Sequence, residues 1–88
     1  MTTIELVENF IFGGRKGNAS GGRLYISGDK LYNYGTCIAE RKNGKIIVNI
    51  TKYSPTTSKH QNRLIAILDR ENIPYDTVDN KDIGVSHL

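Results

Sequence analysis

The stretch Thr36-Cys37-Ile38-Ala39-Glu40-Arg41-Lys42-Asn43-Gly44-Lys45-Ile46-Ile47-Val48-Asn49-Ile50-Thr51 decides the fold class. Two β-prone segments flank Asn43-Gly44, the dipeptide that most readily takes positive φ at both centres of a two-residue hairpin turn. That loop sets Arg41 opposite Ile46, Ala39 opposite Val48 and Cys37 opposite Ile50. One face is then small and apolar near its middle, while the other carries Glu40, Lys42, Lys45 and Asn49 mixed with Ile38 and Ile47. A one-residue slip would mix the two sets. Cys37 falls on the inner face, where a lone thiol behaves as a small hydrophobe.

Upstream, Gly28-Asp29 marks a second turn and Gly21-Gly22 a weaker one, giving strands at Lys16–Ser20 and Arg23–Ser27. Gly35 interrupts an otherwise continuous strand, Leu31–Arg41, and reads as a bulge or bend within it. The chain opens with a short helix. Thr2 and Glu5 have capping-box spacing, Ile4 or Leu6 shares a face with Val7 and Phe10, and Gly13-Gly14 ends the helix. Downstream, a helix runs from about Ser58 to Glu71, with Thr57 or Ser58 as N-cap and Ser54-Pro55 as a turn before it. Leu64, Ile65 and Leu68 form its apolar face, and Asn72-Ile73-Pro74 stops it. Tyr75–Val78 adds an edge strand. The expectation is an α+β fold: one domain over residues 1–78, a four- to five-stranded antiparallel meander with helices on one face, and a flexible or edge tail over 79–88.

Eighty-eight residues allow one thin core. No apolar run approaches the roughly 20 residues of a membrane span, and Met1–Phe12 carries acids where a secretory signal needs bases. One cysteine excludes an internal disulfide, and His60 with His87 is too little for a metal site. No pair of carboxylates is spaced for general acid–base work, so neither catalysis nor a cofactor is expected. The net charge of +3 is uneven: residues 13–64 hold ten bases against Asp29 and Glu40, and both ends are acidic. Such a middle attracts anions, although lysines on strand edges also serve simply to block aggregation.

The most unusual stretch is Asn49-Ile50-Thr51-Lys52-Tyr53-Ser54-Pro55-Thr56-Thr57-Ser58-Lys59-His60-Gln61, with five Ser/Thr residues around Lys52 and Lys59 at the start of a helix. Helix amides, hydroxyls and two lysines together suit a phosphate, whereas capping alone would also explain the hydroxyls. The candidate contacts are Lys52, Tyr53, Thr56, Thr57, Ser58 and Lys59, with Arg15, Lys16, Tyr34, Arg41 and Arg63 outlying. Arg15-Lys16-Gly17 has the composition of a phosphate-cradling loop but lacks the spacing of a P-loop. Tyr25 and Tyr32 fall opposite each other across the second hairpin, as a core pair with wet hydroxyls or a seat for nucleobases.

At Tyr32-Asn33-Tyr34-Gly35-Thr36-Cys37-Ile38-Ala39-Glu40-Arg41 and again at Asn49–Gln61, the chain resembles a family of short, uncharacterised phage-encoded proteins. In that family a Tyr-x-Tyr-[Gly/Asn]-Thr-x-Ile-Ala-x-Arg strand precedes Asn-x-Thr-Lys-Tyr-Ser-x-Thr-Thr-Ser-Lys, and Cys37 stands where proline is common. The resemblance covers about residues 15–65 and implies a phage setting, hence the cytoplasm of a bacterial host, with no activity attached. Two functional expectations follow. One is a non-enzymatic binder of nucleic acid or a small anionic nucleotide. The alternative is a protein-binding inhibitor of a host defence protein. A homo-oligomer paired through the tail strand is a third, weaker one.

Overall fold

The computed structural model describes residues 1–79, so the tail expected beyond Asp79 lies outside the described residues. The elements run α1 Thr3–Ile11, β1 Lys16–Ala19, a 3₁₀ turn Ser20–Gly22, β2 Leu24–Ser27, β3 Lys30–Asn33, β4 Thr36–Lys42, β5 Lys45–Asn49, α2 Pro55–Arg70 and β6 Tyr75–Val78. Six strands form one sheet in sequence order. This is the expected α+β class with a larger sheet, and the antiparallel meander needs two corrections.

The first concerns Gly35. It is a turn rather than a bend inside a strand, because Asn33 pairs with Thr36 and the chain reverses over Tyr34-Gly35. Both residues have positive φ, 53° for Tyr34 and 81° for Gly35. A tyrosine there resists recognition, since Asn, Asp and Gly enter that conformation at far lower cost. The irregularity in the ladder lies nearby: Leu31 pairs with Ala39 and Tyr32 with Cys37, leaving Ile38 unpaired as a bulge. The bulge explains why Cys37, Ile38 and Ala39 are all buried in succession. Tyr34 is 56 % exposed, so its ring gains little from packing. Tyr34→Asn should therefore stabilise the fold by about 0.5–1 kcal/mol, read as a higher urea midpoint.

The second concerns β6, which runs parallel to β5 with Ile46 opposite Tyr75 and Asn49 opposite Val78. Helix α2 carries the chain back across the sheet, and such a crossover delivers a parallel strand. The sheet is therefore mixed.

Elsewhere the sequence is followed closely. Thr2 and Glu5 form the reciprocal capping box at 3.1 and 2.9 Å. The Thr2 bonds hold the Glu5 carboxyl below its ordinary range. Leu6, not Ile4, joins Val7 and Phe10 in the core. Asn43 and Gly44 take φ of 53° and 78°, and Arg41 meets Ile46 and Ala39 meets Val48. The β4–β5 ladder stops at Ala39 and Val48, and Ile50 is exposed instead of facing Cys37 across it. Tyr25 and Tyr32 stack at 5.2 Å between ring centres. Alternation puts them on the sheet face away from Leu24, Ile26 and Leu31, which pack under both helices.

Helix α2 starts three residues earlier than the expected Ser58. Ser54 is the N-cap, Pro55 is the first helical residue, and the Thr57 amide donates to Ser54 Oγ at 3.2 Å. The helix buries Thr57, His60, Gln61, Leu64, Ile67 and Leu68, the stripe that faces the sheet and α1. Ile65 packs only at its margin.

Candidate functional site

Most of the Ser/Thr-rich stretch is occupied in holding itself together. Asn49 is fully buried; its Nδ2 donates to the Cys37 carbonyl and to the Tyr53 hydroxyl, both at 2.9 Å, and its Oδ1 accepts the Thr51 amide at 3.0 Å. Gln61 Nε2 donates to the carbonyls of Asn49 and Thr51 at 2.7 and 2.9 Å. Thr57, 4 % exposed, accepts from Asn33 Nδ2 at 2.8 Å and from Ser54 Oγ at 3.1 Å. Thr51 Oγ1 donates to Asp79 at 2.9 Å. These bonds pin the β5–α2 connection to the sheet and to the helix it feeds.

The helix tip is consequently a poor anion cradle. Pro55 has no N–H, the Thr57 amide is capped, and the Ser58 amide bonds to Ser54 within the helix. The two lysines of the stretch also part company. Lys52 and Ser58 border one shallow hollow with Ile50 and Gln61, whereas Lys59 and Thr56 border another.

That second hollow is the candidate site. It is a cleft of about 270 Å³ lined by Thr3 of α1, Arg23 at the entry to β2, and Thr56, Lys59, His60 and Arg63 of α2. The four α2 residues follow helical spacing over two turns and so share one face. Three basic side chains, and among the described residues no carboxylate, line the cleft. Among the described residues, none of the three makes an ion pair. Arg23 instead lies 5.8 Å from the Tyr34 ring centre, which brings the exposed tyrosine to the cleft's edge. His60 is 7 % exposed; burial first, then Lys59 and Arg63, hold its imidazole below the ordinary histidine range.

Of the expected contacts, the fold thus gathers Thr56, Lys59 and Arg63, with Tyr34 adjoining through Arg23. The remainder lie apart. Arg15 pairs with Asp29 at 2.8 Å, Lys16 sits on edge strand β1, and Tyr53 belongs to the Asn49 brace. Arg41 is a clamp rather than a ligand: its guanidinium donates to the carbonyls of Phe10, Gly14 and Gly28. Cys37 is buried, and loss of solvent pushes its thiol up to about 11, which leaves it inert at neutral pH. Arg23, Thr3 and His60 complete the cleft and are absent from the sequence-derived contacts. The helical spacing from Thr56 to Arg63 was the available signal for His60; nothing local ties Arg23 to it.

A family of unknown function, DUF8033, matches residues 6–80. The chain belongs to that family. The match takes in α1 from Leu6 onward, the whole sheet and α2, and therefore every residue of the cleft except Thr3. No curated protein and no solved structure matches the chain. Among the described residues no helix is long and apolar enough to cross a membrane, and no three acidic, histidine or cysteine side chains gather as they would around a metal ion.

Proposed function

We propose that this DUF8033 protein is a non-enzymatic binder of a phosphate-bearing ligand, nucleic acid or a small nucleotide, seated between α1 and α2. The observation behind this reading is the convergence of Arg23, Lys59 and Arg63 on one cleft that no carboxylate among the described residues lines. Unpaired like charges repel one another and destabilise a small domain, so an anionic ligand supplies the missing counter-charge. Thr56 offers a hydroxyl to phosphate oxygens. Tyr34, held at a strained and exposed turn, offers a ring on which a base can stack. A phage setting and the cytoplasm of a bacterial host belong to the same proposal and rest on the two motifs quoted above.

Fluorescence anisotropy with a labelled single-stranded oligonucleotide and with a labelled nucleotide tests it. Lys59→Ala combined with Arg63→Ala should weaken binding about 10- to 100-fold, roughly 1.4 kcal/mol per decade. Lys52→Ala, on the other hollow, should change it little. Three phosphate contacts on a single strand give a slope of about −2 in log affinity against log salt. Undiminished binding by the double variant would remove the site.

A second reading draws on a different surface. Phe12 is 66 % exposed beside a hollow lined by Ile11, Ile46, Ile73 and Pro74. An apolar patch of that kind suits a protein partner, such as a host defence protein that this chain would inhibit. A stoichiometric host protein that co-purifies after nuclease treatment separates it from the first reading.

A further inference from the structure

His60 is the one member of the cleft that is nearly sealed from solvent, and its Nδ1 is buried without a hydrogen-bond partner. An unpaired buried polar atom costs about 1–3 kcal/mol, and a leucine on the same helical stripe would avoid that cost. Among the described residues, the charged groups that line the cleft with it are of one sign. Lys59 and Arg63 flank it on α2, Arg23 approaches from the entry to β2, and Thr56 and Thr3 contribute hydroxyls. In the free protein the loss of water first, then Lys59 and Arg63, disfavour the charged imidazole and hold it below the ordinary histidine range. An oxyanion seated among them would invert the local field and stabilise the protonated ring.

Building on the reading of the cleft as a phosphate site, we propose that His60 is a ligand-binding residue that takes a proton from solvent as the anion enters. The site then holds a tetrahedral oxyanion and one proton together. The ligand in effect creates the fourth cation of its own site, and the proton returns to solvent when it leaves. Affinity is then independent of pH well above the titration of the bound ring. It rises as the pH falls through that range, and levels off once the free ring is protonated too.

Sulfate is the probe of choice, because it stays a dianion across this range whereas a phosphate monoester titrates near pH 6. Calorimetry should show sulfate binding about fivefold or more tightly at pH 5.5 than at pH 8. Near pH 6.5 the observed heat should depend on the ionisation heat of the buffer, reporting proton uptake. The ring resonances of His60 in the wild-type protein should titrate at higher pH with sulfate than without it. His60→Gln should lose both the gain in affinity between pH 8 and pH 5.5 and the buffer-dependent heat, which also separates His60 from His87. Equal affinity at both pH values with no proton uptake would overturn the proton coupling while leaving the phosphate site intact. Failure to bind sulfate at either pH would remove the phosphate site itself, and the coupling with it.

Discussion

Arg41→Ala should lower the thermal midpoint by about 10–25 °C, because one side chain closes three separate segments. Its guanidinium donates to the Phe10 carbonyl at the end of α1, to Gly14 at 2.7 Å, and to Gly28 in the β2–β3 turn at 2.8 Å. The same group lies 4.8 Å from the Phe10 ring centre, and the side chain is only 15 % exposed. Alanine would strip the guanidinium from all three carbonyls, leaving Phe10 its bond from the Gly13 amide at 3.3 Å, at a combined cost of about 2–4 kcal/mol. In a domain of this size each kcal/mol moves the midpoint by about 4–8 °C. Arg41→Lys should recover less than half of the loss, because one ammonium cannot reproduce a planar fork over an aromatic ring. Thermal unfolding followed by circular dichroism measures both. A shift under about 3 °C would mean that water satisfies the carbonyls as well as the guanidinium does.

Asn49→Ala should cost a further independent amount, about 2–4 kcal/mol, read from the urea midpoint. Each polar atom of this fully buried amide has a partner: the Cys37 carbonyl and Tyr53 hydroxyl as acceptors, the Thr51 amide as donor. Asn49→Leu should not rescue the loss, since similar volume leaves the same groups unpaired. Asn49→Asp keeps the acceptor but deletes both donors and buries a carboxylate, so it should be the least stable of the three. The brace ties β5 to the loop before α2, and its failure should appear first as faster hydrogen exchange at the Thr51 amide. Unchanged exchange there would place the loop's anchorage in the other bonds of this segment, from Gln61 to the Asn49 and Thr51 carbonyls and from Thr51 to Asp79.

The parts legible in the sequence are those governed by neighbours in the chain. Asn43-Gly44, the Thr2–Glu5 cap and the Tyr25–Tyr32 pair all follow from local spacing, and each occurs as expected. The turn at Tyr34-Gly35 escaped because a tyrosine occupies the position usually given to asparagine. The helix start is ambiguous in the sequence because Ser54, Thr56, Thr57 and Ser58 all offer hydroxyls, and Ser54-Pro55 is the pair that best combines a cap with a first-turn proline. Polarity alone points Asn49 outward, yet a buried amide with every atom satisfied is as much a core residue as valine. The phosphate cradle was drawn at the helix tip because its residues are contiguous. The cationic cleft instead joins Lys59 and Arg63 to Arg23, far away in sequence, and only the folded sheet brings them together.

The parallel strand carries a consequence for how the molecule comes into being. Hairpins from β1 through β5 need only close two-residue or similarly short loops, which takes microseconds, whereas Ile46 must wait for Tyr75, roughly 30 residues later, before β6 can zip up. During synthesis the hairpin ladder can form while the far flank of β5 stays bare. That flank presents a ready template for any unpaired strand nearby until α2 docks and delivers its own. Crowded expression should therefore favour aggregates seeded at β5, and a chain cut before Tyr75 should show the tendency permanently.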